Sequence, residues 1–323
     1  ENDNLTLMSS YFFDAAVVDV FSALLNGATL FVFDLKTEDF SIVSNRIQEN
    51  NITIYHSTPS VYRYFIDSLD SNVSFDSVRY VVLGGEQARK GDLIHLKEHF
   101  PPSASLVNLY GLSEATIVSM GFFDHGSEVN SEILRTGNPI DSVDVALLSE
   151  EGVLTPGLGQ IVIMSPYLAK KYWNSEDLTA EKFRIAPWLG DRFYFQTGDI
   201  GEITSHGMLR HLGRSDFQIK IRGYRVEPGE IESKIIESQK VSKCAVHPVP
   251  GLDGELIIAA FVILKNTSST NEIVNVQMFL KEKLPDYMIP KHILPLEAFP
   301  RTNTGKIYWK KLEEIAHDYL TSK

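Results

Sequence analysis

Gly213-Arg214-Ser215-Asp216-Phe217-Gln218-Ile219-Lys220-Ile221-Arg222-Gly223-Tyr224-Arg225-Val226-Glu227-Pro228-Gly229-Glu230-Ile231-Glu232 is the stretch around which this chain divides. The cations Arg214, Lys220, Arg222 and Arg225 surround Gly223, which takes positive φ readily and lets backbone or ligand approach closely. That combination suits an anionic ligand. Pro228 then stands where a first helical turn tolerates it, with Glu230 and Glu232 near the positive end of the helix dipole. The run therefore reads as a loop, a short basic hairpin and a helix start. A solvated charged hairpin is its ordinary reading, and only the rest of the chain weighs against that.

Upstream, helix-like and strand-like patterns alternate. Residues 16–26 are apolar at helical spacing, Ala28 to Phe33 is a compact strand, and helix signals near 38–49, 60–69 and 88–99 alternate with strands at Ile52 to Tyr55, Val78 to Leu83 and Ser105 to Leu109. This βαβα rhythm predicts a mostly parallel, helix-covered sheet with ligands at the carboxyl ends of its strands. Two loops are expected there, Leu83-Gly84-Gly85-Glu86 and Asn108-Leu109-Tyr110-Gly111-Leu112-Ser113-Glu114. From about 143 to 213 shorter strands broken by Gly and Pro predict a small β-rich subdomain. Downstream of 214 a small α+β unit is expected, with helices from Pro228, Asn271 and about Tyr308 and strands near 243–247 and 256–264. The expected domains are 1–213 and 214–323, with the boundary at Gly213 to Asp216.

A chain of 323 residues has the length of two ordinary domains. Its formal net charge of −12 disfavours non-specific attraction to nucleic acid or to an anionic membrane. The apolar run Ala15 to Phe33 is interrupted by Asp19, Asn26 and Gly27 and does not read as a membrane span. Cys244, the single cysteine, excludes an internal disulfide and a multi-Cys zinc site and leans towards a reducing, cytoplasmic compartment. Its alternating setting reads as a packed strand position.

Several short motifs carry possible chemistry. His95-Leu96-Lys97-Glu98-His99 matches an H-x-x-E-H zinc pattern, but a solvated amphipathic face is the better reading. Gly111-Leu112-Ser113-Glu114-Ala115 misses the G-x-S-x-G elbow at Ala115, so a serine hydrolase is not expected. Tyr110 beside a glycine offers a stacking face for a flat base, and Glu114 offers an oxygen ligand for Mg²⁺. Asp199, after Gly198, reads as a carboxylate on a tight turn that suits adjacent ribose hydroxyls. Lys306, in Thr302-Asn303-Thr304-Gly305-Lys306, reads as a loop ammonium able to reach a phosphate. Each has a bland alternative that wins when the motif is taken alone.

Their order decides. Asp14 after two aromatics, Tyr-Gly-x-Ser-Glu at 110–114, Thr-Gly-Asp at 197–199, Gly-Arg-x-Asp-x-Gln-x-Lys-x-Arg-Gly from Gly213, Leu284-Pro285-Asp286-Tyr287-Met288-Ile289-Pro290 and Gly305-Lys306 together resemble the adenylation domains of nonribosomal peptide synthetases. These belong to the superfamily that also holds acyl-CoA ligases and luciferases. The resemblance runs from Tyr11 to about Lys311.

What the resemblance implies is ATP- and Mg²⁺-dependent activation of an amino acid, then transfer to the phosphopantetheine thiol of a carrier protein, with a condensation domain as a further partner. It implies that Tyr110 stacks on adenine, that Glu114 holds Mg²⁺, and that Gly85, Gly111 and Ser113 lie along the nucleotide. Asp199, helped by Arg214, would bind the ribose, and Lys306 would bind α-phosphate and substrate carboxylate oxygens. Asp216 would be the hinge of the C-terminal domain, and Lys220, Arg222 and Gly223 the loop presented for thiolation. Asp14 would pair, as a buried carboxylate, with the substrate ammonium, and Ala15, Val18, His56, Val82, Gly84, Leu109, Ile117 and Val118 would line the side-chain pocket. Those walls favour an uncharged, apolar side chain of intermediate size, with His56 either hydrogen-bonding a hydroxyl or amide or simply packing, packing being slightly favoured. The family's phosphate loop lies upstream of the Asp14 segment, so this sequence is expected to be the C-terminal two-thirds of such a domain. Two other readings stay open, an acyl-CoA ligase and an inactive binding scaffold.

Overall fold

The computed structural model describes residues 3–149, 151–214, 219–221, 224–252, 255–265, 271–301 and 307–322. Asp216, Arg222, Gly223 and Lys306 lie outside the described residues, as does the side chain of Lys220. The chain forms two compact units, Glu1–Asp216 and Phe217–Lys323.

The first unit opens with β1 (Asn4–Leu7), α1 (Asp14–Asn26), β2 (Thr29–Val32), α2 (Phe40–Glu49), β3 (Ile54–Ser57), α3 (Pro59–Asp67), β4 (Tyr80–Gly84), α4 (Lys90–His99), β5 (Ser105–Leu112), β6 (Thr116–Phe123) and β7 (Asn138–Pro139). Their strands form one sheet in the order β2-β1-β3-β4-β5-β6-β7. The strands β1 to β5 run parallel, β6 returns antiparallel to β5, and β7 pairs antiparallel to β6. The helices start where local chemistry supplies their missing partners. At α3 the Thr58 hydroxyl accepts from the Val61 amide and Pro59 occupies the first turn. At α4 the Asp92 carboxylate accepts from the Arg89 amide at 2.7 Å and binds the Arg63 guanidinium at 2.7 and 2.9 Å.

Period-two alternation sets the two faces of this sheet. Tyr55, Val81, Leu83 and Leu106 are buried against Val43 and Ile47 of α2, Tyr62, Phe65 and Ile66 of α3, and Leu93 and Leu96 of α4. Emptying one such position, as in Phe65→Ala, is expected to cost about 3 to 5 kcal/mol. The opposite face carries His56, Val82, Gly84 and Leu109. There His56 pairs in register with Val82, and Gly84 with Leu109. α1 packs on that side, burying Ala16, Asp19 and Ala23. Val82, Gly84 and Leu109 remain only half-buried.

A second sheet follows, built from β8 (Asp144–Leu148), β9 (Leu158–Met164), α5 (Glu176–Lys182), β10 (Phe183–Ala186), β11 (Arg192–Ile203) and β12 (Leu209–Arg214). It is antiparallel, in the order β10-β11-β9-β8 with β12 on β11. Tyr110 and Val118 of the first sheet and Ala115 of the turn between β5 and β6 share a core with Val143, Leu147, Ile161, Ile163 and Leu209.

The second unit comprises β13 (Ile219–Ile221), β14 (Tyr224–Val226), α6 (Pro228–Glu237), β15 (Val241–Pro250), β16 (Leu256–Leu264), α7 (Asn271–Lys283), β17 (His292–Pro295) and α8 (Trp309–Thr321). Val246, Ile258, Ala260 and Val262 face α6 and α7, while Val249, Ile257, Ala259 and Phe261 face α8. Cys244 sits half-buried on β15, and burial pushes its thiol up to about 12. It is a packed strand residue, as expected.

A helix-covered, mostly parallel sheet, an antiparallel sheet and a small α+β unit match the fold class expected from the sequence. Three local expectations change. β1 and β6 had no counterpart in the sequence reading. Asn108 to Leu112 is strand rather than loop, continuing β5 to a turn at Ser113 to Ala115. Gly111 permits this, because a Cβ there would lie 2.2 Å from the Thr116 carbonyl oxygen across the hairpin. Asp199 stands inside β11 and not on a tight turn.

Candidate functional site

Asp199 owes its place to an irregularity in β11. Gln196 pairs with Val162 and Ile200 with Gln160, so three residues of β11 stand opposite Ile161 alone. Gly198 takes φ +79 within that bulge. A bulge re-aims side chains, and here Thr197 fills it. The Thr197 hydroxyl donates to the Ile161 carbonyl at 2.7 Å and accepts from the Asp199 amide at 2.9 Å.

Three side chains then converge on the Asp199 carboxylate, which is 3% exposed. The Tyr110 hydroxyl donates to Oδ2 at 2.6 Å, Arg214 Nη1 to Oδ1 at 2.9 Å, and His211 Nε2 stands 3.3 Å from Oδ1. Arg214 also donates to the Thr197 carbonyl at 3.1 Å. Burial pushes the Asp199 carboxyl up, but the His211 hydrogen bond and charge, the Arg214 charge and the Tyr110 hydroxyl outweigh it and lower it to about 2. The same burial, with the Asp199 charge, holds the Tyr110 phenol well above its ordinary range. This is a fixed anion with strong donors around it. The Tyr110 ring is 5% exposed and lies 5.4 Å from the His211 ring, centroid to centroid. Stacking of a flat base on Tyr110 therefore requires that packing to open.

The turn that follows β5 joins this cluster to α1. Ser113 donates to Asp14 Oδ2 at 2.5 Å, tying the turn to the first residue of the helix. Asp14 is exposed, contrary to the expectation of a buried carboxylate, because it opens α1 at the helix end rather than on its packed face. Glu114 is buried, and its Oε1 accepts from the Tyr172 hydroxyl at 2.5 Å. Among the described residues no group of three or more His, Cys, Asp or Glu could hold a metal ion. One carboxylate is nonetheless compatible with Mg²⁺, which commonly takes one or two protein oxygens plus substrate phosphates. His95 faces Glu98 at 3.5 Å, and His99 is buried with Nδ1 2.9 Å from the Val73 carbonyl, so the H-x-x-E-H run is not a zinc site.

Across the open face of the first sheet stand the expected wall residues. Gly85 takes φ +85 just past β4, and Glu86 accepts from the Ser60 amide and hydroxyl at the start of α3. Ala15, Val18 and Ile117 are half-buried, whereas Val118 is fully buried in the core shared with the second sheet. A Cβ at Gly84 would lie 3.3 Å from Leu109 Cβ and 3.8 Å from His56 Nε2, which brings these three to one spot. His56 does more than pack: its Nδ1 lies 2.6 Å from Asp19 Oδ1. Asp19, Thr197, His211 and Tyr172 were not singled out from the sequence as site residues. Thr197 had a visible signal in its place in the Thr-Gly-Asp motif, and Asp19 showed only as a break in an apolar run.

Comparison with known proteins identifies the family. The AMP-binding enzyme family matches residues 1–173, and the AMP-binding enzyme C-terminal domain matches 230–306. Bacitracin synthase 1 of Bacillus licheniformis is 35% identical over 97% of this chain and 6% of its own length. Gramicidin S synthase 2 of Aneurinibacillus migulanus is 32% identical over 99% of this chain and 7% of its own. Among solved structures, the Vibrio cholerae adenylation domain AlmE, in complex with glycyl-adenosine-5'-phosphate, superposes with TM-score 0.84 at 25% identity, over 98% of this chain and 59% of that one. PA1221, a nonribosomal peptide synthetase protein containing adenylation and carrier (PCP) domains, gives 0.82 at 26%, over 96% and 53%. The chain belongs to the AMP-binding enzyme family, as an adenylation domain of nonribosomal peptide synthetase type. It spans a small part of the synthetases and under two thirds of these solved chains.

Proposed function

We propose that this domain activates an amino acid with ATP and hands the acyl group to the phosphopantetheine thiol of a carrier protein. A substrate carboxylate oxygen attacks the α-phosphorus, the bond to the β-phosphate oxygen breaks, and pyrophosphate leaves. In the second half-reaction the thiol sulfur attacks the acyl carbon, AMP departs and the thiol proton passes to solvent. The observation that carries this reading is the Asp199 carboxylate, held ionised between Tyr110, His211 and Arg214, which would serve as the acceptor pair for two neighbouring ribose hydroxyls. Mg²⁺, when bound, would neutralise phosphate charge. Glu114 is the residue to hold it, oriented by Tyr172. Asp14, beside Ser113 at the open end of α1, is the partner for the substrate ammonium. Lys306 supplies the cation at the α-phosphate, Asp216 the hinge between domains 1–213 and 214–323, and Lys220, Arg222 and Gly223 the thiolation loop. The PCP domain of the solved relative PA1221 supports the carrier protein as partner.

ATP–pyrophosphate exchange with a panel of amino acids on the full-length protein tests the reading. Exchange above background with at least one amino acid, reduced by about a thousandfold in Lys306→Ala, is the expected result. No exchange with any amino acid or amine-free acid would remove the enzyme reading and leave a binding scaffold, and exchange confined to acids without an amine would favour a CoA ligase.

A further inference from the structure

The carboxyl ends of β3, β4 and β5 hold a polar pair that the proposed reaction does not use. Asp19, 3% exposed on the packed face of α1, meets His56, 5% exposed on β3. His56 Nδ1 lies 2.6 Å from Asp19 Oδ1. The backbone of His56 is pinned as well, since its amide donates to the buried Thr6 hydroxyl at 2.8 Å. Asp19 Oδ2 is buried with no hydrogen-bond partner among the described residues. Burial raises the Asp19 carboxyl, against the pull of the His56 ring.

A buried ionic pair with one orphaned oxygen is a poor way to stabilise a core, and apolar residues of similar volume commonly do as well or better. Its value lies in what it fixes. With Nδ1 turned to Asp19, the ring has one remaining polar atom, Nε2. That atom sits beside Gly84, where the absence of a side chain leaves room next to Leu109. Val82 and Leu109 around it are half-buried and apolar. A single fixed polar atom on an otherwise apolar wall orients a ligand and sets its specificity.

We infer that the Asp19–His56 pair reads the substrate side chain, and that the amino acid activated here ends in an uncharged hydrogen-bonding group, a hydroxyl or a carboxamide. This rests on the adenylation reading and replaces the apolar preference expected from the wall residues alone. A charged side chain is disfavoured because the Asp19 carboxylate is already engaged by the His56 ring and the half-buried wall around it is otherwise apolar, so an added charge would find no free counter-ion there. A hydroxyl or amide can donate to Nε2 or accept from it, and so serves either state of the ring. Asp19 is a positioning residue: it acts through His56 and touches no substrate atom in this arrangement.

The test is pyrophosphate exchange by the full-length protein on near-isosteric pairs, threonine against valine and asparagine against leucine. The expected result is a kcat/KM ratio of at least about tenfold in favour of the polar member of one pair. In Asp19→Asn that ratio should collapse towards unity through KM for the polar amino acid, with KM for ATP unmoved, which a general loosening of the fold would not give. Preference for the apolar member of both pairs in the unmodified protein overturns the inference and leaves the adenylation reading standing. An unchanged ratio in Asp19→Asn overturns the role of Asp19. No exchange with any amino acid overturns the adenylation reading and this inference with it. Should Asp19→Asn fail to fold, the isostere panel on the unmodified protein still decides.

Discussion

Asp199 and Asp19 are two aspartates equally withdrawn from water, each 3% exposed, whose surroundings treat the carboxylate in opposite ways. Asp199 meets a phenol, an imidazole and a guanidinium, and its carboxyl is lowered to about 2. Asp19 meets one imidazole, keeps one oxygen without a partner among the described residues, and is raised. Burial is common to both, so the number and charge of the donors decide the sign. Asp199 is built as a permanent anion among strong donors. Asp19 is a costly charge retained to orient a neighbour.

The largest expected difference between them is in stability. Asp199→Ala leaves Arg214 and His211 facing a vacated buried site, and breaking a buried ionic pair from one side costs about 3 to 5 kcal/mol. Asp19→Asn removes the charged acceptor of the His56 ring but keeps the side chain's volume, and, with one carboxylate oxygen already lacking a partner among the described residues, should cost less than about 1 kcal/mol. Urea unfolding followed by the fluorescence of Trp173 and Trp188, both in the first unit, in a Trp309→Phe background that silences the second unit, measures both. Equal losses would break the contrast.

Acid sharpens it next. The folded carboxyl of Asp199 lies below the ordinary 3.8, so its contribution is present above about pH 4 and is lost as pH falls towards 2. A depression of nearly two units corresponds to about 2 kcal/mol. Asp19 has the opposite sign: its folded carboxyl lies above 3.8, so stability attributable to it declines as pH rises through that value. The stability advantage of the unmodified protein over Asp199→Asn should therefore grow between pH 2 and pH 4, while that over Asp19→Asn should shrink as pH climbs above 4. Slopes of the same sign would show that one of the two environments is misread.

Within the Asp199 network, Tyr110→Phe removes a single donor and leaves Arg214 and His211 in place. The expected cost is about 1.5 kcal/mol, the range for a hydrogen bond to a charged acceptor. The same change should raise the Asp199 carboxyl, visible as a shift of the acid transition towards higher pH. A cost near zero would mean that His211 and Arg214 alone hold the carboxylate.

These two carboxylates also show what the sequence makes legible. Asp199 is readable as a site residue because it follows Gly198 in a motif with a fixed order among others. What holds it is not readable: Tyr110 is 89 residues away and Thr197 acts by filling a bulge that only strand pairing reveals. Asp19 was legible only as a break in an apolar run, since its partner His56 lies 37 residues on and the pairing depends on α1 crossing β3. The fold class follows from alternation over long, periodic segments such as α2 to β5. Short β1, Asn4–Leu7, carries too few residues to declare a period, and becomes a central strand only because β2 and β3 flank it.

The smallest effect expected concerns a third carboxylate, Glu114, which lies between the two extremes with a neutral donor. Tyr172 donates its hydroxyl to Oε1 from a segment whose own backbone is tied to the same turn, the Ala169 amide donating to the Glu114 carbonyl at 2.8 Å. Tyr172→Phe removes that hydroxyl but neither the ring, which packs edge-on against Phe183 at 5.4 Å, nor the backbone tie. The fold should therefore lose no more than about 1 kcal/mol. On the proposed reading the loss appears where Glu114 works: a carboxylate less firmly oriented holds Mg²⁺ less well, and about 1 kcal/mol corresponds to about a fivefold rise in the Mg²⁺ concentration for half-maximal pyrophosphate exchange. KM for the amino acid should stay put, because the lost hydroxyl orients Glu114 and the wall around His56 keeps all its groups. A rise in that KM with no change in the Mg²⁺ dependence would assign Glu114 to the substrate side of the site, next to Asp14 and Ser113, rather than to the metal.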